Sequence, residues 1–425
     1  MNLLWHMPIL RRHTCGLSIR AMHLASLLRE AGHGIVFAVD ADKTDIREGS
    51  ISGMPLLQMS PSKRRPMHWS LQASVRREAA AEMAERVGFN WDAVISCQPE
   101  FVAEYSALHG RPPVVFVCGS TTLHHDAANQ ARHACLATMR RIPYVIDRTL
   151  KRRNERRAFR AADAVVFDSR QTRELVILEY GVSPEKCHTI RGGVDKHRFR
   201  PPDPEARCAA RGRLGIDESE FAISWTGRLS PEKNLSLLVR ALPRCTRLPD
   251  HVLIVGEGPA SRELIELCKA SGLGDVVRFV GAQQDIRPYL HAADVFVFPS
   301  RSESFGMAAV EAMACGLPVV GLRPDGNIIR NANIELIDDG QCGLLVDGMD
   351  PIALAAAMDR LRIDVELRRR LGGAGRRWAL RHFTWTRAGR RFGKLLSDVA
   401  SLQTARTSLH TLESADLATA VETAS

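Results

Sequence analysis

Short runs of β-branched and aliphatic residues alternate along most of the chain with stretches of helical periodicity. One such helical stretch, residues 18–30, places Leu24, Leu27 and Leu28 on one face. The apolar runs predict strands at Leu3 to His6, Ile35 to Val39, Ala93 to Cys97, Val114 to Cys118, Ala164 to Phe167, His188 to Arg191, Phe221 to Thr226, Val252 to Val255, Val276 to Val280, Val295 to Phe298, Val319 to Leu322 and Leu344 to Val346. Near-continuous apolar strands separated by helices are typical of parallel sheets covered on both faces. The pattern therefore predicts an α/β protein with two doubly wound domains.

A proline-rich stretch divides the two sets of strands. Residues 198–206, RFRPPDPEA, predict a linker, because proline cannot continue a helix or a central strand. The N-terminal domain is thus expected over residues 1–197 and the C-terminal domain over 207–382. The last residues, 401–425, are rich in Ala, Thr and Ser and predict a disordered tail.

Composition places the chain among ordinary globular proteins and favours a cytoplasmic one. Of its 425 residues, 45% are hydrophobic and 25% are charged. The longest apolar runs have the length of strands and fall well short of the ~20 residues that span a bilayer. At the N-terminus the arginines follow the apolar stretch, the reverse of their order in a secretory signal. The ten cysteines are scattered without a C-x-x-C pair, as expected for reduced thiols.

A basic segment accounts for much of the net charge of +10. Residues 131–160 read as largely helical and hold ten Lys or Arg against two acids. On a helix, one surface near Leu150 and Phe159 is expected to carry Arg152, Arg153, Arg156, Arg157 and Arg160. The segment lacks interleaved aromatic residues, which argues against nucleic acid as a partner. Two interpretations remain open: a solvated arginine-rich helix, or peripheral contact with an anionic membrane.

Three weaker patterns also suggest ligands. Asp40 and Asp42 form a D-x-D pair, which can hold a divalent metal but is more often solvated. Gly256 and Gly258 resemble part of a dinucleotide fingerprint, although no glycine-rich turn follows the first strand. The pair at residues 124–125, two histidines followed by Asp126, could ligate a metal, act as a base or lie in a polar loop.

The strongest signal lies in two loops of the C-terminal domain. The first, GRLSPEKN, carries Arg228 and Lys233 directly after a predicted strand, at the sheet edge where open α/β folds bind ligands. Their charges suit two phosphate groups. The second, ESFGMAAVEAMACG, begins at Glu303 and opens a helix near Gly306, whose first N–H groups can hold an anion. Glu311 lies on the otherwise apolar face of that helix, where a carboxylate needs a partner such as a ribose diol.

These two loops resemble those of the retaining nucleotide-sugar glycosyltransferases called family 4, whose signature is E-x(7)-E. Further phrases in the family's usual order are RAADAVVFDSRQT, TIRGGVDKHRFRP, LIVGEGP and DDGQCGLLVDGMDP. The resemblance implies the GT-B fold, in which two Rossmann-like domains face each other across a cleft. It also implies that a helix at residues 383–400 returns to the N-terminal domain.

The resemblance assigns roles residue by residue. Arg228 and Lys233 match the pair that neutralises the diphosphate, Glu303 the acid facing the donor sugar, and Glu311 the acid that binds the ribose. The other expected donor-binding residues are Phe305, Gly306, Met307, Ala308, Gly227, Gly256, Glu257 and Gly16. The resemblance implies neither a metal ion nor a cofactor, because the arginine, the lysine and the helix end supply the positive charge.

The N-terminal half departs from the family pattern. Cys15-Gly16 stands where a Gly-Gly pair is usual, and Cys118 stands near the position of a histidine that often contacts the sugar. The candidates for the acceptor side are therefore Cys118, Ser120, His124 and His125.

The sequence thus favours a retaining glycosyltransferase that moves a sugar from a nucleotide diphosphate sugar to a hydroxyl of a glycan, a lipid-linked or a small-molecule acceptor. Two alternatives remain: a nucleotide-sugar epimerase of the same fold, and a non-catalytic subunit that binds nucleotide sugars.

Overall fold

Two parallel sheets, each flanked by helices, make up the protein. The computed structural model describes residues 1–7, 16–40, 49–59, 90–119, 121–122 and 138–402, together with residues 81, 82, 85 and 87. The first sheet is formed by residues 2–189 and the second by residues 222–346. The prediction of two doubly wound units is confirmed.

The first sheet has eight strands in the order β3-β4-β2-β1-β5-β6-β7-β8. The strands are β1 (Asn2–Met7), β2 (Gly34–Asp40), β3 (Ser50–Ile51), β4 (Met54–Met59), β5 (Ala93–Ser96), β6 (Val114–Cys118), β7 (Ala164–Phe167) and β8 (Cys187–Thr189). Within the described residues, the helices that this half contributes are α1 (Gly16–Glu30), α2 (Pro99–Tyr105), α3 (Thr138–Ala161) and α4 (Arg170–Tyr180). All pairs are parallel except β3 with β4.

The second sheet has six parallel strands in the order β11-β10-β9-β12-β14-β16. Its strands are β9 (Ala222–Thr226), β10 (His251–Val255), β11 (Val277–Gly281), β12 (Val295–Phe298), β14 (Val319–Leu322) and β16 (Leu344–Val346), and a small separate pair is formed by β13 (Ser302–Glu303) and β15 (Arg330–Asn331). The helices are α5 (Pro204–Leu214), α6 (Leu235–Ala241), α7 (Ser261–Ala270), α8 (Arg287–Ala292), α9 (Met307–Ala314), α10 (Asn333–Leu336), α11 (Pro351–Ile363) and α12 (Val365–His382).

A last helix, α13, covers residues 385–402 and packs on the first sheet. Its Phe392 ring stacks on Trp5 of β1 with 5.5 Å between ring centroids, and Leu396 lies in the same buried cluster. Residues 403–425, which include most of the predicted tail, lie outside the described residues. The C-terminal helix thus returns to the N-terminal half of the molecule.

The predicted linker is shorter than expected, because its second half is helical. Helix α5 begins at Pro204, and the Asp203 side chain caps it by accepting a hydrogen bond of 2.8 Å from the Ala206 N–H. The N–H groups in the first turn of a helix have no partner within the helix, so the N–H that proline lacks is not needed there. Pro204 therefore begins a helix instead of interrupting one. The segment without helix or strand before α5 therefore ends at Asp203.

Candidate active site

Three loops that follow adjacent strands build the C-terminal half of the site. Strands β10, β9 and β12 are neighbours in the second sheet, and the loops after them carry Glu257, Arg228 and Glu303 respectively. The carboxyl ends of parallel strands meet at one edge of a sheet, so residues distant in sequence lie side by side there.

Lys233 and Glu303 form an ion pair between two of these loops. Their side chains retain 19% and 15% of their exposure, so the pair is partly open to the cleft. Lys233 ends a 3-10 turn at Pro231–Lys233, and Arg301 N–H donates a hydrogen bond of 2.9 Å to the Glu232 carbonyl, which ties the same two loops together. The structure therefore brings together two of the predicted catalytic residues.

Arg228 lies on the same loop with its side chain 64% exposed. Its guanidinium reaches Glu232 at 3.3 Å, and the Ser230 hydroxyl donates to the same carboxylate. Burial alone would raise the pKa of Glu232, but the hydrogen bonds from Ser230 and the backbone, with the charges of Lys233 and Arg228, hold that pKa below its usual range. Arg228 is thus lightly held and has room to contact an anion.

The Gly256–Gly258 pair serves close packing between loops. Gly256 has a φ of +134°, and a Cβ there would lie 1.8 Å from the Gly227 carbonyl oxygen. Gly227 N–H in turn donates a hydrogen bond of 3.0 Å to the Val255 carbonyl, and Leu229 N–H donates one of 2.9 Å to the Glu257 carbonyl. The two glycines therefore allow the loop after β10 to pack directly against the loop after β9.

Helix α9 begins at the mouth of the site. Gly306 precedes it with a φ of +99°, and a Cβ there would lie 3.0 Å from the Phe298 ring. Phe305 is buried and meets Phe383 edge-to-face at 5.4 Å, so only its backbone is available to a ligand. The first N–H groups of the helix, at Met307 and Ala308, have no partner within the helix and carry its positive end.

Glu311 lies one turn into α9 and is only partly exposed. Among the described residues, none donates a hydrogen bond to its carboxylate. Burial raises the pKa of Glu311 to about 7, while the charge of Arg198 opposes that rise. A carboxylate in this state is suited to receive hydroxyl donors from a ligand.

Two sets of contacts join the halves of the molecule beside the site. Arg191, which follows β8, forms an ion pair with Glu335 of α10, and Gln171 N–H donates a hydrogen bond of 2.9 Å to the same carboxylate. Gly192 approaches α9 so closely that a Cβ there would lie 3.1 Å from Met307 Sδ. The carboxyl edges of the two sheets thus face each other across a cleft.

Family models match both halves of the chain. The model for glycosyl transferases group 1 matches residues 207–378, and that for Glycosyltransferase Family 4 matches residues 14–198. The chain is thus similar to glycosyltransferase family 4 in both halves. The identification made from the motifs is confirmed.

Solved structures of glycosyltransferases show the same fold. The chain matches sucrose-phosphate synthase from Thermosynechococcus elongatus with a TM-score of 0.73 at 21% identity, over 95% of this chain and 100% of that one. It matches the Anabaena protein HepE in complex with UDP and glucose with a TM-score of 0.73 at 20% identity, over 93% and 99% of the two chains. The GT-B prediction is confirmed.

Curated relatives match over part of their length. A GDP-mannose-dependent alpha-(1-6)-phosphatidylinositol monomannoside mannosyltransferase from Mycolicibacterium smegmatis is 38% identical over 57% of this chain and 64% of that protein. A D-inositol 3-phosphate glycosyltransferase from Xylanimonas cellulosilytica is 36% identical over 55% and 56%. The chain spans between half and two thirds of the length of these relatives.

The acceptor-side candidates stay predictions. The Cys118 side chain is buried at the end of β6 and packs in the core, where burial raises the pKa of its thiol. Ser120, His124 and His125 lie outside the described residues. Gly16 begins α1 and is exposed.

An unpredicted ion pair lies on the N-terminal side of the cleft. Arg20 of α1 pairs with Asp168, the residue that follows β7, and also donates a hydrogen bond of 2.9 Å to the Ile190 carbonyl. The sequence gives an indication of this pair. Arg20 lies on the helix face that Ala21, Leu24 and Leu28 occupy, and a buried arginine needs an acidic partner.

The basic helix α3 exposes Ile146, which is 46% exposed, but not the Phe159 side chain expected at its surface. Phe159 is fully buried in the core, and Arg157 is paired with Glu104 at 2.9 Å. Arg153 and Arg156 are exposed as predicted, while residues 131–137 lie outside the described part. Phe159 thus packs inward and does not add to the exposed surface that carries Arg153 and Arg156.

Neither a metal-binding cluster nor a membrane-spanning helix occurs among the described residues. These contain no cluster of three or more His, Cys, Asp or Glu side chains placed to hold a metal ion. Asp40 ends β2, and Asp42 lies outside the described residues. No helix within the described ranges combines the length and the apolar character needed to cross a bilayer.

Proposed function

We propose that the chain is a retaining glycosyltransferase that moves a sugar from a nucleotide diphosphate sugar to an acceptor hydroxyl without a metal ion. The observation that carries the proposal is the gathering of Arg228, Lys233 and Glu303 beside the N-terminus of α9. A side-chain cluster with two cations next to a helix end suits a diphosphate leaving group.

In the proposed reaction Lys233 exchanges Glu303 for a phosphate oxygen of the donor. Glu303 then becomes free to accept hydrogen bonds from the donor sugar, and Glu311 binds the ribose hydroxyls. As the sugar–phosphate bond breaks, Arg228, Lys233 and the helix end stabilise the departing diphosphate. Its oxygen takes the proton of the acceptor hydroxyl on the same face, so the new bond keeps the anomeric configuration.

The relatives suggest which substrates to try first. One is named for GDP-mannose and a phosphatidylinositol mannoside, and others for D-inositol 3-phosphate. We propose a nucleotide-sugar donor and an inositol-containing acceptor, either soluble or lipid-linked. Exposed Arg153 and Arg156 could assist a lipid-linked acceptor by peripheral contact with an anionic membrane.

The test incubates the full chain with GDP-mannose or UDP-glucose and with D-inositol 3-phosphate or phosphatidylinositol vesicles. Release of nucleoside diphosphate is measured, and proton NMR reads the anomeric configuration of the product. The proposal requires acceptor-dependent release and retained configuration. Conversion of the donor sugar without acceptor would favour the epimerase, and binding without turnover would favour the non-catalytic subunit.

A further inference from the structure

The ion pair of Arg20 with Asp168 lies at the edge of the first sheet that faces the donor-binding loops. Asp168 is the first residue after β7, at the carboxyl end of that strand, and Ser169 next to it caps α4 by accepting a hydrogen bond of 3.1 Å from Thr172 N–H. Its backbone is therefore fixed by the strand on one side and the capped helix on the other.

Arg20 holds one oxygen of this carboxylate and leaves the other open. The guanidinium contacts Asp168 Oδ1 and the Ile190 carbonyl, and Arg20 itself is 4% exposed. No described residue donates a hydrogen bond to Oδ2, although the Asp168 side chain retains 12% of its exposure. A fixed carboxylate with one free oxygen at a sheet edge can accept hydrogen bonds from a ligand.

The neighbouring contacts place this oxygen opposite the donor site. Two residues beyond Ile190, Gly192 packs against Phe305 and Met307, which come two and four residues after Glu303 in the sequence. The pKa of Asp168 is raised first by burial, and the negative charge of Glu303 raises it further against the opposing effect of Arg20. Two acids, each paired with a cation of its own half, thus lie on opposite walls of one cleft.

We propose that Asp168, positioned by Arg20, binds the acceptor by accepting hydrogen bonds from its hydroxyl groups. The inference rests on the proposed function, since it assigns the acceptor side of the same reaction. A carboxylate at this place selects acceptors that offer free hydroxyls toward it, as a polyol or a sugar ring does, and disfavours a phosphate at the same position.

Asp163, at the other end of the same strand, provides a control that distinguishes acceptor binding from a purely structural role. Asp163 comes directly before β7 and pairs with Arg111, and it also accepts a hydrogen bond of 2.8 Å from Val114 N–H. Its side chain is 17% exposed, close to the 12% of Asp168, but it lies at the opposite edge of the sheet. Asp163→Asn therefore reports what the loss of a semi-buried ion pair does to the fold alone.

The experiment compares Asp168→Asn, Asp168→Glu and Asp163→Asn with the wild type. Donor affinity is measured by calorimetry with GDP-mannose or UDP-glucose, and KM for donor and acceptor are measured separately. Asp168→Asn should raise the acceptor KM roughly tenfold to hundredfold, the range for a hydrogen bond to a charged group, and leave donor affinity within about twofold. Asp168→Glu should recover part of the loss, and Asp163→Asn should alter neither constant.

Three results would overturn the inference. They are an unchanged acceptor KM in Asp168→Asn, a defect of equal size in donor affinity, or the same kinetic defect in Asp163→Asn. If the wild type consumes no nucleotide sugar, the proposed function itself is contradicted. If the wild type is active but Asp168→Asn leaves the acceptor KM unchanged, only the role of Asp168 is contradicted.

Discussion

Lys233 and Glu303, 70 residues apart in the chain, form an ion pair between two loops of the candidate site. In the proposed reaction the diphosphate of a donor therefore competes with Glu303 for the lysine. The proposed roles of the two residues are thus coupled, because binding of the phosphate would release the carboxylate toward the sugar.

Glu303→Gln tests this coupling. The variant should bind GDP or UDP alone several-fold more tightly, because Lys233 is no longer neutralised, while sugar transfer falls by roughly 10²-fold or more. Calorimetry with the free nucleotide and a transfer assay give the two values. Glu266→Gln, on α7 with a side chain 65% exposed, removes the same charge away from the cleft and should change neither. Weaker nucleotide binding in Glu303→Gln would contradict the coupling.

Glu311 should make stability and donor binding respond to pH in opposite directions. Because its pKa rises from 4.5 to about 7 on folding, the folded chain binds the proton more tightly than the unfolded one. The free energy of unfolding then falls as pH rises from about 4.5 to about 7 and stays lower above that. Glu311→Gln should be more stable than wild type at pH 8, by roughly 1–3 kcal/mol at about 1.4 kcal/mol per pKa unit, and equal to it near pH 4.

Donor binding supplies the second half of this prediction. Nucleotide affinity of the wild type should increase as pH rises through about 7, since the ionised carboxylate is the better acceptor for ribose hydroxyls. Glu311→Gln should bind the nucleotide more weakly and lose the pH dependence. Glu366→Gln, with a side chain 84% exposed on α12, is the control for both measurements. A variant that is less stable at pH 8 would contradict the assignment.

Gly193 should tolerate no side chain. A Cβ there would lie 2.1 Å from Trp385 N and 2.4 Å from the Thr384 carbonyl carbon, where the chain crosses into α13. Since both atoms belong to the backbone, Gly193→Ala should destabilise the protein by about 1–3 kcal/mol or more. Gly212→Ala, inside α5 with nothing near its Cβ, should be neutral or stabilising. Thermal unfolding of the two variants tests this prediction. Equal melting temperatures for Gly193→Ala and Gly212→Ala would contradict the packing argument.

Metal removal tests the source of the positive charge. We expect transfer to persist in excess EDTA, because Arg228, Lys233 and the α9 N-terminus carry that charge. Substitution of Asn for Asp at Asp40 and Asp42 should leave nucleotide affinity intact. Complete loss of activity in EDTA, with recovery on addition of Mg²⁺ or Mn²⁺, would instead assign the D-x-D pair a role.

The sequence predicted the strands of both sheets where apolar runs are long and buried, and it missed the strands that lack this pattern. Strand β4 has Pro55 near its start, and one of its two neighbours in the sheet is the two-residue strand β3. Its sequence therefore shows only a weak strand pattern. Pro204 begins a helix because Asp203 caps its first turn, whereas proline alone predicts a break at that point. Local spacing therefore predicts an element better than a single residue type does.

The site was predictable where one loop holds several residues, and less so where distant residues meet. Arg228 and Lys233 share a loop, and Glu303 and Glu311 share a strand–helix unit, so spacing alone indicated them. Arg20 and Asp168 come from segments 148 residues apart and meet only through the sheet order. The Cys118 side chain packs in the core although its backbone reaches the sheet edge, which the sequence pattern did not indicate.

The rate of nucleoside diphosphate release by Arg228→Ala tests the central claim most directly. Release is measured in EDTA with a donor and an acceptor that the wild type uses. The control variant is Arg240→Ala, which removes an exposed arginine from the last turn of α6. The account predicts a fall of roughly 10²- to 10³-fold for Arg228→Ala with a nearly unchanged melting temperature, and no change for Arg240→Ala. Release by Arg228→Ala at the wild-type rate would contradict it.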